Sequence, residues 1–398
     1  MSFSKMSRDV KLMLVFSVLR TVAELFLGTF MISFLMQIAT NEILSVSAYK
    51  LFEYIATNAG FFLFASWCKR RNKVNVMRLS ALPKIALLTA IIVLGNRVMD
   101  HVFLMGALYG LSAGMFYLPM NAMIGEKVPT GLMGYFIGAQ NAVNYVTRIV
   151  VPVVLGFFIN TGSYISVSYV LLGLSIVELG LMMLLTPSRH RNKNPLDYGG
   201  FIRCVFRFPV IKKLFAMEFL RGFGDGLLPA VITMYTVYMF KTDLNLGMFT
   251  TLFSLCSILS TWCMGRFCHH RRYPIVVSVC MLLTMFGISL FVWHTSPITF
   301  LVYNFVYATA IVVMDQICKV NMFKLSKSKC VTNNHKMEFF VIRDSALFLG
   351  RWIGYVGLMY IGVFGGYIWL RWYLVVITLS LLMAGVTVLL IMRPKRKR

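Results

Sequence analysis

Four charged residues stand where chemistry is costly. Arg20 and Glu24 lie inside the apolar run Leu12–Gln37, and 201 residues on, Arg221 and Asp225 lie inside the run Leu214–Phe240. In each pair a cation precedes an acid by four residues, one helical turn, so the two side chains share a face. A charge near the centre of a bilayer costs a few kcal/mol or more, and such residues face a bundle interior or a water-filled cavity. Protonating the acid would free the arginine for another partner, a switch between two charge states. On this basis Glu24 and Asp225 are expected to couple an ion to a solute; the competing reading makes each pair a staple within its own helix.

The elements that must position these residues are membrane helices. Of the 398 residues, 59% are hydrophobic and 13% charged, and the mean hydropathy is +0.76. That is membrane-protein composition. A spanning helix needs about 20 mainly apolar residues. The first half offers Leu12–Gln37, Leu44–Trp67, Ser80–Leu94, Val102–Met123, Met133–Ile159 and Ile165–Leu185. The second offers Leu214–Phe240, Leu246–Met264, Ile275–Val292, Ile298–Ile317, Phe339–Ile361 and Ile368–Met392. The third run is the weakest, with Pro83 and Lys84 at its start. The expected fold is an all-α polytopic membrane protein: twelve transmembrane helices in two pseudo-symmetric six-helix bundles, residues 1–188 and 214–398, joined by a cytoplasmic linker over 189–213. The first run is too long for the core of a signal peptide and is expected to stay as an anchor.

A net charge of +25 would suggest nucleic acid in a soluble chain. Here 30 Lys and Arg fall in the loops and tails of one side, Lys84 counted with them, against 3 on the other (Arg97, Lys241 and Arg371). This bias sets topology, placing both termini in the cytoplasm, and argues for a lipid bilayer as the partner rather than nucleic acid. Arg207, Lys212 and Lys213 suit either an ordinary linker or a piece lying on anionic lipid. The eight cysteines show no ligand spacing and read as free thiols. Cys268-His269-His270 is flanked by Arg266, Arg271 and Arg272, which oppose a metal, so no metal and no cofactor is expected.

The halves repeat beyond the opening pairs. Ala65-Ser66-Trp67-Cys68-Lys69-Arg70-Arg71 returns as Gly265-Arg266-Phe267-Cys268-His269-His270-Arg271. Gln140-Asn141 followed by Arg148 returns as Arg343-Asp344 followed by Arg351. Nearly constant offsets indicate parallel repeats of six spans. The polar cavity is expected to draw on Arg20, Glu24, Gln140, Asn141, Arg148, Arg221, Asp225, Asp315, Arg343, Asp344 and Arg351. Lys50, Glu53, Asn121, Asn144, Glu178, Glu218 and Gln316 are further polar candidates. Lys50 and Glu53 are expected to neutralise each other, and Asp315 to pair with Lys319. Glu178 has no cation at helical spacing and reads as a lone acid able to carry a proton.

Twelve spans in two parallel halves, with a basic central loop and repeated polar positions in spans one and seven, resemble the major facilitator superfamily. In that family the loop between spans two and three carries glycine, three residues, aspartate, a basic residue, any residue, glycine and then basic residues. This chain has Ala65, Lys69, Arg70, Arg71 and Lys73 there: the basic residues match, and both glycines and the aspartate are replaced. Its second copy starts with Gly265 and has His269 at the aspartate position. Pro152 and Gly156 partly echo the family's span-five antiporter pattern. The resemblance implies alternating access, with two bundles rocking about a site near the midplane and Lys69, Arg70, Arg71, Arg271 and Arg272 in gating loops. Gly106, Gly110 and Gly114 form a small-residue stripe, as do Gly350, Gly354 and Gly357. Gly222, Gly224, Gly226 and Pro229 are expected to loosen span seven beside Asp225.

Mixed charges with apolar walls suit an amphipathic or zwitterionic solute. No phosphate-binding loop of the type Gly-x-x-x-x-Gly-Lys-Ser/Thr occurs, which argues against ATP-driven transport by this chain. The expected function is therefore secondary transport of a small organic solute, coupled to an ion and most simply a proton, by a monomer in the plasma membrane. The alternatives are a polytopic membrane enzyme, for which the six histidines supply no acid–base motif, and a non-transporting sensor or scaffold.

Overall fold

The computed structural model of the chain describes residues 7–70, 72–128, 130–187, 196–205, 208–268, 272–326 and 336–392. It is helical throughout, with helices α1 (Arg8–Leu25), α2 (Met31–Ile38), α3 (Glu42–Arg70), α4 (Lys73–Leu79), α5 (Ala81–Leu94), α6 (Val102–Lys127), α7 (Thr130–Thr161) and α8 (Tyr164–Met183). After the short α9 (Tyr198–Val205) come α10 (Pro209–Phe240), α11 (Asp243–Phe267), α12 (Tyr273–Trp293), α13 (Pro297–Val306), α14 (Val312–Ser326), α15 (Lys336–Phe364) and α16 (Gly366–Met392). A π turn, Phe26–Phe30, carries α1 into α2, and a second, Tyr307–Ile311, carries α13 into α14.

Among the described residues, nine helical stretches are long and apolar enough to cross a bilayer. One of them, Lys73–Ile124, has 52 residues and is broken by the tight turn Gly95–His101, so it supplies two crossings. Residues 8–38 and 42–70 are long enough but carry Arg20, Glu24, Lys50 and Glu53. With these, the described chain holds twelve long runs, in keeping with twelve crossings. The outward faces fit that setting: Trp293, Val93 and Ile368 are 90%, 75% and 72% exposed, a spread of bare apolar surface that lipid, not water, accommodates. The protein is a multi-pass integral membrane protein.

The chain divides into two compact units. One comprises Met1–Pro195 with Thr236–Thr251, the other Leu196–Tyr235 with Leu252–Arg398. In the first unit, Val10, Met13, Phe16, Val74, Met77, Phe116 and Phe136 belong to one buried apolar cluster. The stripe on α6 brings that helix hard against α3. A methyl group added at Gly110 would lie 2.9 Å from Glu53 Cα, and one at Gly114 would lie 2.6 Å from Thr57 O. Small residues thus let the two backbones touch. In the second unit a methyl at Gly350 would lie 2.7 Å from Phe223 N, so α15 packs on α10 in the same way.

Span seven corrects one expectation. Helix α10 runs unbroken over 32 residues with Pro229 inside it. Its glycines serve close approach: Gly222 faces the Leu347 backbone and Gly226 faces the Arg351 side chain. The helical backbone is interrupted instead in span one, by the π turn that begins two residues after Glu24, and in span ten, by the π turn Tyr307–Ile311. Such turns are frequent at functional sites. Lys212 and Lys213 also lie within α10 rather than in the linker.

Candidate functional site

The first unit holds a cavity of about 160 Å³, lined from α1 by Ser17, Arg20, Thr21 and Glu24, from α6 by Phe116, Tyr117, Met120, Asn121 and Ile124, and from α7 by Gln140, Asn144 and Arg148. Arg20 is buried, and its Nε donates to Glu24 Oε1 at 3.1 Å, as the four-residue spacing predicts. Its Nη1 donates to Ser112 Oγ at 3.0 Å. The Tyr117 hydroxyl donates to the same Glu24 oxygen. The guanidinium carbon lies 5.3 Å from the Phe116 ring centre and 5.6 Å from that of Tyr117, a cation–π setting that offsets part of its desolvation. Arg20 Nη2 has no hydrogen-bond partner.

Across the cavity, Gln140 Nε2 donates to Ser17 Oγ at 3.2 Å, and Ser17 donates in turn to Asn144 Oδ1 at 2.8 Å. Thr21 Oγ1 lies 3.3 Å from the same oxygen. The Asn144 amide oxygen is thus held, and its Nδ2 is turned the other way. Arg148, one turn further along α7, is exposed and has no ion pair among the described residues. Of the expected cavity residues, Arg20, Glu24, Gln140 and Arg148 meet here. The side chain of Asn141 lies outside the described residues.

The second unit is built differently. Glu218, fully buried, accepts from Arg221 Nη1 at 2.7 Å and lies 3.9 Å from Arg343 Nη1. Arg221 Nε sits 2.5 Å from Asp315 Oδ1, an ionic contact in which the N–H is not aimed at the oxygen. Arg343 Nη2 lies 3.1 Å from Asp344 Oδ1. Asp225 and Arg221 line a void of about 10 Å³ with Asp315 and Cys318. A methyl at Gly226 would lie 2.8 Å from Arg351 Nε, which puts Arg351 beside the residue after Asp225. Arg221, Asp315, Arg343 and Asp344 therefore collect around Glu218, with Asp225 beside Arg221 and Asp315 and Arg351 beside Gly226.

Several sequence expectations change. Arg221 faces Asp225 across a small void, and its ion pairs also include Glu218, one turn before it, and Asp315 of α14. Helical side chains lean towards the N-terminus, which brings position i−3 within reach. Asp315 was expected to use Lys319; it faces the buried Arg221, and the Lys319 side chain lies outside the described residues. Glu178 is not a lone acid. It pairs with Lys84 from α5, both side chains 2% exposed, so Lys84 is a core residue and not a loop charge. Same-helix spacing could not reveal a partner 94 residues away. Lys50 and Glu53 pair at 2.8 Å as expected, and Gln316 donates to Thr261 at 3.2 Å.

Two features were missed. Asp243, buried at the start of α11, accepts from Ser33 Oγ at 2.6 Å, Gln37 Nε2 at 3.0 Å and Tyr164 OH at 2.5 Å, all within the first unit. Following Lys241 and Thr242, it reads as loop in the sequence. Arg78 donates to the carbonyls of Met182, Met183 and Leu185 at 3.0 to 3.2 Å, closing the C-terminal end of α8 as cations do there. Of the gating-loop residues, Lys69 is buried, Arg70 and Arg272 are exposed, and Arg71 and Arg271 lie outside the described residues, as do His269 and His270. The six described cysteines are free thiols.

The chain is similar to known proteins in sequence and in fold. The chain is 20% identical over 249 residues to the uncharacterized protein YqgE of Bacillus subtilis (strain 168), a match covering 61% of this chain and 57% of that one. The chain thus matches somewhat over half the length of that relative. A D-xylose–proton symporter has a TM-score of 0.72 at 10% identity, covering 95% of this chain and 96% of its own. A bacterial homologue of the iron transporter ferroportin, in an inward-facing state, scores 0.70 at 11% identity, covering 98% and 99%. At such identities these two likenesses speak for the fold. Residues 6–325 match the family described as Major Facilitator Superfamily, to which this chain belongs.

Proposed function

We propose that this protein is a secondary active transporter of a small organic solute, driven by protons, that exposes the first-unit cavity alternately to the two sides of the membrane. The observation that carries this reading is the cavity itself: a membrane-embedded space walled by an ion pair, a separate arginine, amides and hydroxyls. Structural staples alone need no such space. Members of the family are transporters, and the xylose symporter with this fold is named for its use of protons.

Proton coupling is supported by a charge count in the second unit. Among the described residues, Glu218, Asp225, Asp315 and Asp344 stand with Arg221, Arg343 and Arg351, four acids to three cations. One bound proton makes the set neutral. Asp225 is the member we assign to proton exchange, with Glu24 reporting solute occupancy through Arg20. The loop-charge bias supports an orientation with both termini in the cytoplasm, and we place the protein in the plasma membrane.

The test is solute-evoked proton movement in proteoliposomes that trap a pH-sensitive dye. A panel of sugars, carboxylates and amines is added outside. At least one class should move protons with the wild type, and Glu24→Gln with Asp225→Asn should keep solute exchange and lose accumulation against a gradient. Solute flux with no proton movement would overturn the coupling; no flux of any class would overturn transport.

A further inference from the structure

We infer that the first-unit cavity is an anion site, and that Arg148 with Asn144 holds the acidic group of the solute. This rests on the transport reading for its purpose but not for its chemistry. The residues facing the cavity carry two guanidiniums, Arg20 and Arg148, and one carboxylate, Glu24. Glu24 is already answered by Arg20 and Tyr117 on one oxygen. The positive charge left over is that of Arg148, which is exposed to the cavity and has no hydrogen bond or ion pair among the described residues.

The neighbouring groups point the same way. Asn144 precedes Arg148 by one turn on α7, so both side chains share a face. Its amide oxygen is committed to Ser17 and Thr21, which leaves its N–H₂ as the group to be satisfied. Arg20 Nη2, on the other wall, is a buried donor with no partner. A guanidinium fork with an adjacent amide donor is suited to two oxygens of a planar acid, through charge-assisted hydrogen bonds. A cationic solute would instead meet an unopposed Arg148, and a neutral one would leave that charge unanswered. The polar lining carries a net positive charge, which narrows the amphipathic or zwitterionic solute expected from the sequence to one with an acidic group. A cavity of about 160 Å³ suits a small solute.

The same chemistry serves a carboxylate or a phosphonate, and the probes separate them. Full-length protein in detergent is challenged with benzoate, phenylphosphonate, benzamide and benzylamine, four probes of similar shape and different charge, and melting is followed. Benzoate or phenylphosphonate should raise the melting temperature, benzamide less, and benzylamine not at all; the stronger anion names the head group. Arg148→Gln should weaken anion binding at least tenfold without changing the melting of the unliganded protein, and Arg148→Lys should restore part of it. Equal effects of benzoate and benzamide, a preference for benzylamine, binding of no probe, or unaltered anion binding by Arg148→Gln would each overturn the assignment. Because binding is read without a membrane gradient, anion binding with no flux in proteoliposomes would refute transport and leave the anion site standing.

Discussion

The two units carry the same sequence signature and use it in opposite ways. In the first, Arg20 and Glu24 pair with each other beside a cavity, and Arg148 is left facing it. In the second, Arg221 is drawn into a dense set of acids with a void of only about 10 Å³. An arginine with an acid one turn away therefore does not define a site. What defines it is whether neighbouring helices bring further charges or leave space. Ahead of its arginine span five supplies the amides Gln140 and Asn144, while span eleven has Arg343 and Leu347 at the corresponding places, with Asp344 next to Arg343. Amides satisfy hydroxyls and leave a cavity open; charges demand countercharges and fill it.

The largest effect that separates the two regions should come from Glu218. Glu218→Ala removes the carboxylate that both Arg221 and Arg343 face, leaving buried guanidiniums short of countercharge. Breaking a buried pair costs about 3–5 kcal/mol, so the variant should fail to fold or melt far below the wild type. Arg148→Gln, in the first unit, should leave melting unchanged, because the residue is exposed and unpaired. Comparable destabilisation by the two variants would show that Arg148 is structural too and that the two units do not differ in this way.

Lys84 and Glu178 sharpen the contrast by lying in the first unit yet behaving like the second. Lys84→Met should cost about 3–5 kcal/mol, since it strands a buried carboxylate, and the double variant Lys84→Met with Glu178→Leu should recover most of it. Denaturation of the single and double variants forms the cycle that measures this coupling. A double variant as unstable as the single one would mean that Glu178 has another role in the unit.

How much of this was legible in the chain depends on the range of the contact. The helices and the Arg20–Glu24 and Lys50–Glu53 pairs follow from composition and same-helix spacing, which are local. The Gly106, Gly110 and Gly114 stripe also announced a close neighbour, though not that it would be α3. Lys84–Glu178, Arg221–Asp315 and the Asp243 cluster join residues 79 to 210 positions apart. No periodicity records such pairs, and Lys84 and Asp243 were hidden further by standing at the ends of apolar runs, where charges are normally solvated. Arg148 was visible as a polar residue in span five, but only the surrounding bonds show that, among the described residues, it has no hydrogen bond or ion pair.

A smaller effect should follow from Gly110→Ala. The added methyl would press on the Glu53 backbone, and such overpacking costs about 1–3 kcal/mol. Lys50 and Glu53 would shift with α3, so the melting temperature should fall measurably. An unchanged melting temperature would show that the α3–α6 contact can relax.

The smallest effect lies at the end of the first unit, ahead of the apolar run that begins at Leu12. Asp9 accepts from Lys127 Nζ at 2.6 Å and from the Thr186 backbone N–H at 3.3 Å, and the Thr186 hydroxyl adds a third bond. Burial disfavours its charge, but the bonds from Lys127 and Thr186 outweigh that and hold the carboxyl below its ordinary value of 3.8. A carboxyl lowered on folding stabilises the folded state at pH values above the unfolded value, and this contribution is lost as pH falls through the folded one. Wild type should therefore exceed Asp9→Asn in stability near pH 7, by under about 1 kcal/mol for an ion pair so close to water. The difference should shrink below pH 4 as the carboxyl gains its proton, and high salt should shrink it at pH 7 as well. Melting curves of both proteins between pH 3.5 and 7 read this directly. A gap that widens towards low pH would reverse the sign and show that the Asp9 charge is tolerated by the fold, not used by it.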